Sequence, residues 1–139
     1  MSDQQAAMTR GFAKALGPFL ILFGLGITLR ATTMWALIPA FFQDGALVFV
    51  TAVFGLAIGC GMVAAHHHIN SPAALIITLF GWITLIRCAI LLIAPTFVSS
   101  IASMAMQIPA IPLIPAIIAV LIGVYLTFVG WFAARKGTP

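Results

Sequence analysis

Four apolar stretches, each near or above the ~20 residues needed to cross a hydrocarbon core of roughly 30 Å, dominate this 139-residue chain. They run from about Lys14 to Ile38, Ala46 to Ala65, Ala73 to Ala94 and Pro112 to Ala134. The runs do not alternate polar with apolar residues, which excludes the strands of a membrane β-barrel. A water-facing surface is excluded too, because only 6% of the residues are charged and 63% are hydrophobic, against about 25% charged in soluble domains. The expectation is an all-α integral membrane four-helix bundle. It forms a single transmembrane domain over residues 1–139, with no room for a separate soluble domain.

The ends of the stretches have local causes. Asn70-Ser71-Pro72 offers an N-cap followed by proline at the first helical position. Pro39 and Pro95 are expected to stop the first and third helices, since proline cannot continue the backbone ladder. Pro109, Pro112 and Pro115 recur every third residue and suit an extended entry into a fourth helix starting near Pro112 or Pro115. Between Pro95 and Ile111, residues 97–106 would form a short helix lying in the interface.

Loop charges set the expected threading. Arg10 and Lys14 precede the first span and Arg135 and Lys136 follow the fourth. Both termini, and the loop holding His66, His67 and His68, then lie in the cytoplasm, with Asp44 on the far side. The net charge of +4 is a topology signal, because no basic cluster is dense enough to grip nucleic acid. A cleaved signal peptide is disfavoured: the first apolar run is too long and no convincing small-x-small site follows it.

Two of the charges sit inside spans. Leu22-Phe23-Gly24 is followed, after five residues, by Arg30; Leu79-Phe80-Gly81 is followed by Arg87 at the same interval, 57 positions later. Pro39-Ala40-Phe41 and Pro95-Thr96-Phe97 complete each copy. Duplication would make the bundle two parallel two-helix repeats related by an axis along the membrane normal. Chance likeness among Leu-rich helices is the alternative. The second and fourth spans share little beyond Ala64-Ala65 and Ala133-Ala134. Counted back from the prolines, each arginine lies roughly 12–13 Å below the outer helix end. Arg30 and Arg87 then either bond to loop carbonyls, Asp44 or headgroups, or form an anion- or lipid-binding site at the outer mouth. No Asp or Glu occurs in the spans, so a proton-coupled exporter built on an embedded carboxylate is disfavoured.

Other candidates are weaker. His66, His67 and His68 are metal ligands by type, but adjacent helical residues diverge and no acid or cysteine in their loop completes a shell. The plainer reading is a juxtamembrane cluster that gains charge in acid. Cys60 and Cys88 lie on different helices at different depths and are not expected to bridge. Gly55 and Gly59, with Ala52, Gly61 and Ala65, form one small-residue face; Ala119, Gly123 and Gly130 form another. Both are expected to pack helices within the chain, with self-association as the alternative. Trp131 suits the inner interface, and Trp82 should pack against a neighbouring helix.

The stretch Ala65-His66, then Leu75-Ile76-Ile77-Thr78-Leu79-Phe80-Gly81-Trp82-Ile83-Thr84-Leu85-Ile86-Arg87, resembles a motif of small uncharacterised four-helix membrane proteins of the bacterial inner membrane. That family commonly carries Asp-Trp-Arg just ahead of this helix, where this chain has Pro72, Ala73 and Ala74. More loosely, the size resembles DoxX-like four-helix proteins. The resemblance implies an inner-membrane protein with no assigned reaction. The expectation is a non-enzymatic accessory or interaction protein, without a cofactor, whose partners are membrane lipids and a homo-oligomer or larger membrane complex. Two rivals stand beside it: a small transporter or channel drawing an anion to Arg30 and Arg87, and a quinone- or metal-binding membrane subunit.

Overall fold

The computed structural model describes residues 3–66, 71–108 and 113–132. Every regular element among them is a helix: α1 (Asp3–Leu29), α2 (Ala31–Gln43), α3 (Gly45–Ala65), α4 (Pro72–Ile93), α5 (Pro95–Ala105) and α6 (Leu113–Trp131). Of these, α1, α3, α4 and α6 are long and apolar enough to cross a membrane. Large apolar side chains such as Leu29, Phe54 and Ile93 cover their outer faces, the surface a multi-pass membrane protein presents to lipid.

The boundaries follow from caps. Asp44 starts α3, its carboxylate accepting from the Leu47 amide at 3.0 Å. Ser71 starts α4, its hydroxyl accepting from the Ala74 amide at 3.1 Å, with Pro72 in the first turn. Pro95 opens α5, so α4 ends where a proline was expected to end it. The first span departs from expectation. It breaks at Arg30, whose backbone turns to φ −108°, ψ 21°, and Pro39 lies inside α2 instead of terminating a helix. The amide of Arg30 still reaches the Gly26 carbonyl at 3.1 Å. Its departing backbone starts a new helix, in which Pro39 removes one ladder donor without ending the element. The short helix expected over 97–106 is α5, starting two residues earlier. Pro115 lies within α6, and residues 109–112 fall outside the described set.

The spans assemble as two close pairs, α1 with α6 and α3 with α4, which meet one another mainly where α1 crosses α4. Small residues make the pairs close. A Cβ on Gly24 would sit 2.6 Å from the Ala116 carbonyl oxygen and from Val120, on α6. A Cβ on Gly81 would sit 3.2 Å from Met62 and 3.4 Å from Val63, on α3. These contacts are one contact in two copies. Gly24 and Gly81 differ by 57 positions, and so do Val63 and Val120. Leu20 and Ile77, matched by the same offset, are both buried in the central core with Met62 and Leu126. The short helices α2 and α5 also touch each other. Each half of the chain is therefore three helices, two spans joined by a short helix. The register of the repeat aligns Val63 with Val120, not Ala64-Ala65 with Ala133-Ala134. Gly59 approaches Leu85, Gly55 approaches Cys88, and Gly123 approaches Gly17 and Ile21, while Gly61 and Ala65, expected on the first face, are exposed because they turn away from α4.

Trp82 does not pack inward as expected. It is 46% exposed, because the inward positions of its helix turn are Ile77 and Gly81, where only a small or aliphatic side chain fits. Trp131 lies at the end of α6, with the Lys14 ammonium 5.6 Å from its ring centre.

Candidate functional site

Arg30 and Arg87 line the same cavity, of about 670 Å³. Its walls come from both halves. Leu22, Phe23, Gly26 and Ile27 of α1 lead up to Arg30; Ile38 comes from α2, Arg87 from α4, and Pro115 and Ala116 from α6. The break after Leu29 sets Arg30 at the end of α1, so the depth counted back from Pro39 does not apply to it. Arg87 stands inside α4, with six helical residues still to follow. The bundle nonetheless brings both arginines, each exposed, to the lining of one open space whose other walls are apolar.

Their partners are not those expected. Neither guanidinium takes part in a hydrogen bond or ion pair among the described residues. Asp44 is occupied in capping α3. The first-turn carbonyl of α5 at Thr96 accepts instead from the hydroxyls of Ser99, at 2.8 Å, and Ser100, at 2.9 Å. Both side chains are exposed on the bundle, where a charge left facing hydrocarbon would cost several kcal/mol. Ten guanidinium N–H donors, five per arginine, are available to a planar or tetrahedral anion.

A second polar constellation escaped the sequence. His66 ends α3 and is 2% exposed. Its Nε2 lies 2.9 Å from the hydroxyl of Thr9 on α1, and its Nδ1 3.0 Å from the hydroxyl of Thr78 on α4. Phe12 meets the ring edge-on with centroids 5.7 Å apart. Thr9 spends its hydroxyl proton on the Gln5 carbonyl, at 2.9 Å, so its oxygen accepts. The Thr78 hydroxyl also donates to the His66 backbone carbonyl, at 3.5 Å, so α4 holds both the ring and the main chain of His66. With both nitrogens engaged, His66 is a tie between three helices and not a juxtamembrane metal ligand. His67 and His68 fall outside the described residues, and no group of three metal-ligating side chains forms among the described ones. The clue in the sequence was the pair Thr9 and Thr78, polar residues at the same end of two helices. Thr78 and His66 are the register equivalents of Ile21 and Gly123, which also touch.

A second space, of about 330 Å³, lies between α4 and α6 beside Leu20, and its lining is wholly apolar. Cys60 is exposed and Cys88 buried, on different helices and unbridged.

No family model, curated protein or solved structure matches this chain.

Proposed function

We propose that this chain is a small multi-pass protein of the bacterial inner membrane that binds an anion between Arg30 and Arg87, and that it has no catalytic step of its own. One observation carries the reading: two arginines from different spans line one cavity, and no acid among the described residues neutralises them. Neither arginine takes the carbonyl or Asp44 partner that a structural role within the bundle would use. The positive-inside rule supports a threading with the end that carries the start of α1, the end of α6 and His66 in the cytoplasm. The arginine cavity then opens in the outer half, beside α2. The anion is a free one or the head of a lipid, and a transporter or a lipid-dependent accessory subunit would use the same site.

Thermal unfolding in an uncharged detergent tests this. Phosphate or an anionic lipid should raise the unfolding temperature, since a ligand at a hundred times its Kd stabilises by about 2.7 kcal/mol. Replacing both arginines by glutamine should remove the rise. A rise that survives the double substitution, or no rise with any anion, would overturn the site.

A further inference from the structure

We infer that the anion is the phosphate head of an amphiphile whose hydrocarbon tail lies in the apolar trough between α4 and α6. The inference rests on the arginine reading above and adds the tail to it.

The two spaces meet. Pro115 lines both the arginine cavity and the trough. The trough is walled by Leu79, Phe80 and Ile83 of α4 and by Ile118 and Ile122 of α6. It exists because α4 and α6 belong to different close pairs and scarcely touch each other. From Arg87 the α4 wall descends through Ile83 and Leu79 to Ile76, eleven residues or about 16 Å of helix. A small inorganic anion would occupy the head cavity and leave this length unused. A tailed one fills it, each buried methylene adding to affinity.

The two halves of the chain differ where a head needs room. Gly26 and Ile83 are equivalent in the 57-residue register. Ile83 fills its position and lines the trough. Gly26 lines the arginine cavity, and a Cβ added there would meet nothing within 4 Å. The head space beside Arg30 therefore depends on an absent side chain. Phosphate suits it, because two guanidinium forks can each bond a pair of its oxygens.

Purified protein in uncharged maltoside micelles would be offered dioleoyl phosphatidate, glycerol 3-phosphate or inorganic phosphate, with bound ligand counted by native mass spectrometry. Phosphatidate should bind one to one, and neither water-soluble phosphate should displace it even in large excess. Ile83→Trp, at the exposed mouth of the trough, and Gly26→Leu, which fills open space and improves helix propensity, should each weaken phosphatidate by about tenfold or more. Replacing both arginines by glutamine should abolish binding. If glycerol 3-phosphate or phosphate displaces the lipid at equal concentration and Ile83→Trp binds as the wild type does, the tail is refuted while the anion site stands. If phosphatidate does not bind, or binds regardless of the arginines, both the tail and the anion site fall.

Discussion

The first half of the chain, α1 to α3, and the second, α4 to α6, build their close helix pairs from one set of contacts and then part company at their ends. Gly24 against Val120 repeats as Gly81 against Val63, and Leu20 repeats as Ile77. Yet Arg30 sits on a helix break while its counterpart Arg87 stays inside a helix. At the other end of the bundle, His66 occupies the position that Gly123 holds in the second half. The middle of a span must solve one problem, close approach of two backbones in lipid, and small residues solve it the same way twice. The ends meet water, headgroups and loops, where the two copies are free to take on different chemistry. The candidate anion site and the histidine tie are both products of that divergence.

The comparison is most severely tested at its matched glycines, which are equivalent in position but not in tolerance. An added methyl on Gly24 would lie 2.6 Å from a backbone carbonyl, which cannot move aside alone. On Gly81 the nearest atom is the Met62 Cβ at 3.2 Å, whose helix needs to yield only slightly. Gly24→Ala should therefore destabilise by about 3 kcal/mol, in the upper range for overpacking. Gly81→Ala should cost less than about 1 kcal/mol, because the helix-propensity gain of alanine offsets the squeeze. Unfolding in denaturant-titrated detergent would measure both. Equal losses would mean that the two pairs are closer copies than the distances indicate.

The next test bears on the terminal end, where only the first half contributes a histidine. His66→Ala would remove the partner of two threonine hydroxyls and leave a void beside Phe12. A loss of about 2 kcal/mol is expected from the unmade bonds and the cavity together. Exchange of backbone amides near Thr9 should quicken with it, because α1 loses one of its few ties to α3 and α4. Unchanged stability would show that the core cluster around Leu20 and Ile77 locks the two pairs without it.

How far these features could be read in advance differs between middle and ends for the same reason. Span number, helical class and the Leu-Phe-Gly register were legible, because lipid allows few ways to satisfy a backbone and only small residues permit close approach. The cap at Ser71 and the stop at Pro95 were legible because each acts through its own backbone. The break at Arg30 was not, since no proline or glycine marks it and Pro39 offered a more obvious signal. His66 was misread as part of a surface triplet because its partners, Thr9 and Thr78, are remote in sequence and each looks ordinary in its own helix. That Arg30 and Arg87 share a cavity depends on how the two pairs meet, which no local pattern encodes. Trp82 faced outward for a similar reason: the inward positions nearby were already claimed by Ile77 and Gly81.

The smallest expected effect separates the two arginines from every structural residue above. Arg87→Leu keeps helix propensity almost unchanged and removes a charge that makes no hydrogen bond or ion pair among the described residues. Arg30→Leu does the same at a helix break, where its own backbone amide and carbonyl still bond to Gly26 and Thr33. Both side chains are exposed, and removing an exposed charge that has no partner changes stability little. In uncharged detergent without added anion, each variant should therefore unfold within about 1 kcal/mol of the wild type, although both lose anion-dependent stabilisation. The paired comparison is informative because the two sites differ in backbone setting and agree in chemistry. If Arg30→Leu alone destabilises, the guanidinium helps to hold the α1–α2 break, and the first half has kept its arginine for structure. If both variants destabilise by 2 kcal/mol or more, the arginines hold the bundle together themselves, and the cavity between them is packing and not a binding site.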